Sequence, residues 1–544
     1  MPRFARLLLA LSMLLGVASA LPSRAADAYA GYVNEHAYVD TPAGRMFVQY
    51  WRPKVGKVPT ILSISPYRYV YTRANPSDPI KDGYSDRYLP KGYGRAYADL
   101  IGTGLSDGCY DYGGKNEAIS GAAVVEWLAA QPWSTGKIGM IGTSYDGASQ
   151  LEVATLAPPH LAAIVPQEPV SSWYHYNYDH GVLYNSTDEE SGNEDSTGYL
   201  VGTPDLFDFV LGRTPNIDPT LTPQQRLDNL SGKLNECDNV EHETRGHGVD
   251  TAYTEFWKER DWSLRAKNVK AAVLFQHGWD DNNTKTQQFQ RFFANLTNAA
   301  EKRAILGQWT HTDVFDGGAA GVSFPVSRKE YLDAFFARWL KGKPASVLAG
   351  FPKILSQAND GTFRTTLPIG VKKTVIRIPS QGATFANTGS ESEAVTRRAK
   401  TTSSTPNVWM HTLAVVRQDT RLTGTATATV TAASDGLRGQ LDGALIDVAP
   451  DSSMALVGVG MLDLRYRSDL GVATSLTPGK TFTATISFTP QDYVVKAGHR
   501  LVITLAGSES VWGVPDPEVG QTITLADVTL ALPLVPARLA TVKD

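Results

Sequence analysis

Two cysteines in 544 residues exclude a disulfide-rich scaffold, a cysteine-based zinc site and an iron–sulfur centre. Neither CxxC nor HExxH occurs, which removes the commonest redox and zinc-hydrolase signatures. A basic excess is also missing: 51 Lys+Arg against 55 Asp+Glu leave a net charge of −4. Nucleic-acid binding therefore has no electrostatic support. Charged residues reach only 19%, too few for a disordered chain. Hydrophobic residues, by contrast, reach 42%, with 11 Trp, 23 Tyr and 18 Phe. That is enough for large buried cores in about three domains. The chemistry is expected from ordinary side chains, with no metal and no organic cofactor.

The N-terminus reads as an export signal. Arg3 and Arg6 precede an apolar core, Leu7 to Val17, and Ala18-Ser19-Ala20 supplies small residues for cleavage, with a second site after Ala26. Eleven residues rise about 17 Å as a helix, short of the ~30 Å hydrocarbon core, so a membrane anchor is not expected. Loss of residues 1–26 removes three arginines and no acid, taking the net charge from −4 to −7. The expected location is secreted or periplasmic, with no span in the mature chain. Oxidising conditions there predict a Cys109–Cys237 disulfide, two buried thiols being the alternative.

From about residue 45 to 170, β-type runs (RMFVQYW, TILSISP, GRAYADLI, KIGMIG) alternate with helical spacing. Ile119, Ala123, Trp127 and Val124, Leu128 form one such helix, stopped before Pro132. This alternation predicts a mostly parallel sheet covered by helices. Residues 172–262 are polar and aromatic without clean strands, as an inserted cap would be. The sheet pattern resumes with AAVLFQHG and RAILGQW, then a helix with Tyr331, Phe335 and Trp339 on one stripe. After Pro344, strand-like runs separated by turns predict a β-sandwich. The expected division is a signal at 1–26, an α/β domain at 27–171 and 263–345, a cap at 172–262, and an all-β domain at 346–544.

The sharpest local signal is Gly142-Thr143-Ser144-Tyr145-Asp146-Gly147, between the strand KIGMI and a helical stretch. A serine on a tight strand-to-helix turn is thrown outward, and the helix amides favour an oxyanion. The second glycine stands one place later than GxSxG requires, with Asp146 in its position. A serine needs a base, itself oriented by a carboxylate. The chain order Ser144, Asp281, His311 places each residue just after a strand, in the order serine, acid, histidine. His277 would precede the acid, so packing or hydrogen bonding is its expected part. Asp280 is a rival acid beside Asp281. Gly102-Thr103-Gly104, and the pair His242 and His247, lack the spacing of a nucleotide or metal site.

GTSYDG, HGWDD, QWTH, ADLIGTGLSDG and EWLAAQPWSTGKIGMIG together resemble the X-Pro dipeptidyl-peptidase/cocaine esterase family of serine hydrolases. GALIDVAPDSSMALVGVGMLDLRYRSDL, SLTPGKTF and KAGHRLVITLAGS resemble the same family's C-terminal jelly roll. The resemblance implies an α/β-hydrolase sheet with an inserted helical cap, followed by an all-β jelly roll of the galactose-binding type. Its motif, GxSYxG, accounts for the late glycine. Carried over, Ser144 is nucleophile, Asp281 acid and His311 base, with the Tyr67 hydroxyl and Tyr145 amide as the oxyanion hole. One departure is Ile101, where the family usually has arginine.

The implied activity is release of X-Pro dipeptides from peptide N-termini, with a carboxylesterase or amide acylase as alternative and a non-catalytic sugar-binding protein as a remote third. An X-Pro peptidase needs an apolar proline pocket and a carboxylate for the substrate ammonium. Trp173 and Trp279 are expected to wall the pocket. Asp179 is expected to take the ammonium, with Glu189 and Glu190 as lesser candidates.

Overall fold

The computed structural model describes residues 29–67, 81–184, 251–311, 324–366, 372–389, 404–514, 516 and 518–535. The expected signal segment, most of the cap, Cys237, Glu189, Glu190, His242 and His247 lie outside them.

Chain order gives β1 (Tyr32–Thr41), β2 (Gly44–Pro53), β3 (Val58–Ser65), β4 (Gly94–Asp99), α1 (Lys115–Ala130), β5 (Ser134–Thr143), α2 (Tyr145–Thr155) and β6 (Leu161–Gln167). The start of the insertion forms α3 (Trp173–Asn177) and a hairpin, β7 (Tyr178–Asp179) and β8 (Val182–Leu183). Then follow β9 (Ala272–Gly278), α4 (Gln287–Asn295), β10 (Lys302–Gly307), α5 (Arg328–Leu340), β11 (Ile354–Gln357) and β12 (Phe363–Arg364). Ten of these strands form one sheet in the order β1-β2-β4-β3-β5-β6-β9-β10-β11-β12. The run from β4 to β11 is parallel. This is the α/β-hydrolase architecture expected from the strand–helix alternation.

Every residue of β9 is buried, as an apolar run at the centre of a parallel sheet must be. Helices cover both faces. On one, α1 and α2 bury Val124, Leu128, Leu151 and Val153. On the other, α5 buries Tyr331, Phe335 and Phe336 against Ile141, Leu274 and Ile305. In α1 the fully buried stripe runs through Ala118, Gly121, Val124, Val125 and Leu128. Ile119, Ala123 and Trp127 sit at its half-buried edge, as Trp339 does in α5. Ser327 caps α5 by accepting the Glu330 amide at 3.2 Å.

Among the described residues beyond 372 strands dominate: β13 (Thr374–Ile378), β14 (Thr384–Ala386), β15 (Val408–Thr412), β16 (Thr420–Gly424), β17 (Thr427–Ser434) and β18 (Gln440–Val448) come first. They are followed by β19 (Met454–Asp463), β20 (Thr481–Ser487), β21 (Gln491–Val495), β22 (Arg500–Ala506), β23 (Thr522–Leu532) and β24 (Leu534–Val535). The main sheets run β13-β23-β17-β20 and β15-β22-β18-β19 and enclose a second core. The hydrolase sheet extends past the expected boundary at residue 345, because β11 pairs with β10 and β12 with β11. Four-residue and two-residue edge strands carry too little periodicity to be seen before they pair.

Candidate active site

Strand register decides which loops meet. Thr143 of β5 pairs with Gln167 of β6, Gln167 with Gln276 of β9, and Gly278 of β9 with Gly307 of β10. The parallel strands therefore end level, and the residues just beyond them, Ser144, Glu168, Asp281 and His311, share one edge of the sheet.

Ser144 caps α2 with φ 61° and ψ −123°. That left-handed backbone is costly for a side-chain residue and turns the half-buried hydroxyl outward. The glycines around it answer to space. A Cβ on Gly142 would lie 2.4 Å from the Asp146 Cβ, and one on Gly147 would lie 2.8 Å from the Gln167 carbonyl. Tyr145 is held from below: its hydroxyl donates to Glu117 Oε2 at 2.8 Å and accepts the Gly113 amide at 3.0 Å. Burial, with the Asp111 charge adding, raises the Glu117 carboxyl well above the usual range. The Tyr145 amide, first in its helix, has no intrahelical acceptor. Tyr67 follows β3, is buried, and meets the Tyr145 ring edge-on at 6.4 Å. Ile101 is buried and occupies the space a Gly108 side chain would need.

Asp281 is fully buried. Its Oδ1 accepts the Asn283 and Thr284 amides, both at 2.9 Å, and its Oδ2 accepts the Thr284 hydroxyl at 2.6 Å. His311 Nδ1 lies 3.1 Å from the same Oδ2. Burial opposes ionisation here, but the His311 ring, His277 and these donors hold the carboxyl well below the usual range. Asp281 is thus an anion, and His311 Nδ1 is its donor. Asp280 is exposed. His277 Nε2 lies 3.4 Å from Asp281 Oδ2, and burial pushes its imidazole down to about 4.

The expected substrate residues separate. Trp173 is completely buried below the elbow, against Tyr145 at 4.8 Å, with its Nε1 3.3 Å from Glu152 Oε1. Asp179 faces the jelly roll, with Oδ1 2.6 Å from His180 Nδ1 and Oδ2 accepting the Met461 amide at 2.9 Å. Trp279 lines a cavity of about 330 Å³ between the two domains, beside Asp281, Lys285, Met454 and Trp512. Cys109 is disulfide-bonded.

Two residues escaped the sequence reading. Lys285, with φ 64°, donates to the Tyr176 carbonyl at 3.0 Å and lies 4.0 Å from the Tyr184 ring centre. Burial pushes its ammonium down to about 7. Glu168 joins Asp281 and His311 in a cluster whose donor atoms lie within 4.8 Å of one another. A cation would fit that spacing, but three donors already fill the Asp281 oxygens and the Trp309 indole meets Glu168 Oε1. The one available signal for Glu168 was its place directly after LAAIVPQ, equivalent to those of the other members.

Residues 43–313 match the model of the X-Pro dipeptidyl-peptidase (S15 family), and residues 324–538 that of the X-Pro dipeptidyl-peptidase C-terminal non-catalytic domain. A curated relative from Bacillus cereus is 25% identical over 558 residues, spanning 92% of this chain and 90% of its own. The Xaa-Pro dipeptidyl-peptidase of Lacticaseibacillus rhamnosus is 23% identical, spanning 83% of this chain and 63% of its own. An aminopeptidase structure from a marine sediment thaumarchaeon superposes with a TM-score of 0.68 at 16% identity, covering 96% of this chain and 99% of that one. A CocE/NonD family hydrolase from Staphylococcus aureus gives 0.69 at 16% identity, covering 92% and 96%.

Proposed function

The chain belongs to the S15 family of X-Pro dipeptidyl-peptidases, and from that premise we propose that it releases X-Pro dipeptides from peptide N-termini through an acyl-enzyme on Ser144. The observation that carries the assignment to residues is the level ending of β5, β9 and β10, with His311 Nδ1 against the buried anion Asp281 at 3.1 Å. With Nδ1 committed as donor, His311 Nε2 is the basic nitrogen that takes the serine proton. Attack on the scissile carbonyl puts negative charge on its oxygen, which the Tyr145 amide and Tyr67 hydroxyl receive. His311 then protonates the leaving amine, and water, activated by the same nitrogen, releases the dipeptide.

A second reading, an esterase or acylase using the same triad, is favoured by one observation. Asp179, the expected partner for a substrate ammonium, is committed to His180 and the Met461 amide. Export is part of the proposal. Among the described residues no helix is long and apolar enough to cross a membrane, and the Cys109 disulfide fits an oxidising compartment.

Ser144→Ala is expected to lose both turnover and labelling by a fluorophosphonate probe, and persistent labelling would move the nucleophile elsewhere. Glycyl-prolyl-nitroanilide, its N-acetylated form and short aryl esters separate the two readings. Preference for the free N-terminus marks the peptidase. Indifference to acetylation together with fast ester cleavage marks the esterase.

A further inference from the structure

Glu168 is a buried carboxylate in a place that costs the fold something. Its φ is 45°, a region L side chains avoid, and its amide donates to the Gln276 carbonyl at 2.9 Å, which locks it to the end of β9. Oε1 accepts the Trp309 indole at 2.5 Å. Oε2 lies 3.8 Å from His311 Nδ1, the nitrogen already 3.1 Å from Asp281. Space for that indole is built into two strands. A Cβ on Gly278 would lie 2.0 Å from the Trp309 carbonyl, and one on Gly307 would lie 2.0 Å from its ring. These glycines face each other across β9 and β10. Both strands thus give up side chains so that Trp309, two residues before His311, can reach Glu168.

We propose that Glu168 is a positioning residue for His311: it anchors the turn that carries the base through Trp309, and it shares with Asp281 the stabilisation of the imidazolium formed when Ser144 gives up its proton. The proposal rests on the assignment of His311 as base. Among the described residues, the titratable groups around the ring are Asp281 and Glu168, with His277 and Lys285 acting from beyond Asp281. Of these, the Asp281 and Glu168 carboxyl oxygens come nearest Nδ1, at 3.1 and 3.8 Å. An anionic carboxylate there would favour the imidazolium that the reaction creates, and its removal would withdraw that support.

Glu168→Gln keeps an oxygen for the indole and removes the charge. It is expected to lower kcat about ten-fold with KM little changed, and to move the acid limb of the kcat/KM profile down by about half a pH unit or more. Trp309→Phe keeps the charge and removes its donor. It is expected to lower kcat while the acid limb stays or moves up, and it serves as the test if Glu168→Gln does not fold. Adding Glu168→Gln to Asp281→Asn is expected to remove residual turnover that the single variant retains. An acid limb unmoved in Glu168→Gln, or moved down in Trp309→Phe, overturns the proposal. Failure of the triad assignment looks different: His311→Ala and Asp281→Asn would then keep wild-type rates of fluorophosphonate labelling.

Discussion

His277 stands 3.4 Å from Asp281, and burial disfavours its protonated form. Its imidazole is pushed from 6.5 to about 4, with Asp281 opposing the shift and His311 adding to it. Between those values the unfolded chain binds a proton that the folded chain refuses. Stability therefore rises with pH across that window and is lost as pH falls from 6.5 towards 4. At about 1.4 kcal/mol per pH unit, the full depression corresponds to roughly 3 kcal/mol. His277→Asn, which can still meet Asp281, is expected to flatten this slope in urea titrations at several pH values. An equal slope in variant and wild type would assign the acid sensitivity to other groups. At this scale the sequence was informative for Ser144, Asp281 and His311, because each follows an apolar strand. It was silent on Lys285, whose burial depends on rings from Tyr176 and Tyr184, a hundred positions away.

At the scale of elements, the strand–elbow–helix unit of β5 and α2 concentrates the constraint. Ten of the eleven residues of α2 are buried, so the helix cannot shift to relieve a clash at its start. The late glycine of GTSYDG is needed because Gly147 packs on the end of β6, where an added Cβ would lie 2.8 Å from the Gln167 carbonyl and 3.1 Å from Pro169. Gly147→Ala is expected to cost about 1–3 kcal/mol by overpacking. It should also slow probe labelling, since any yielding at Gln167 moves Ser144 and Glu168 apart. A urea midpoint equal to the wild type would show that β6 gives way freely. The motif was legible in the sequence, but the reason for its spacing lies in a strand twenty residues further on.

Across the whole molecule, the jelly roll braces the loops that hold Asp281 and His311. Trp279 Nε1 donates to Ser356 Oγ at 3.2 Å, and Ser356 donates to Asp492 at 2.6 Å. Arg421 closes the chain with two bonds to Asp492, each 2.5 Å. Gln491 donates to the Trp279 carbonyl at 3.0 Å, two residues before Asp281, and Gln308 reaches the Asp492 carbonyl at 3.3 Å, three residues before His311. Arg421→Met leaves a buried carboxylate without its cation and is expected to cost about 3–5 kcal/mol. Turnover should fall with it. The double variant Arg421→Met/Asp492→Leu is expected to recover stability but not turnover. Recovery of both would reduce the pair to a domain joint with no part in holding the active loops.

The α/β sheet, the β-sandwich and the three strand-end residues were determined by the sequence itself, because periodicity and strand ends are local properties of the chain. Only the tertiary structure decided that Trp173 lies under the elbow, that Asp179 binds the Met461 amide and that the hydrolase sheet takes two more strands from beyond residue 345. It alone placed Glu168 beside His311. Each of these depends on which strands become neighbours and which domain closes over them. Strand pairing and domain docking join residues far apart in sequence, and no local pattern reports them.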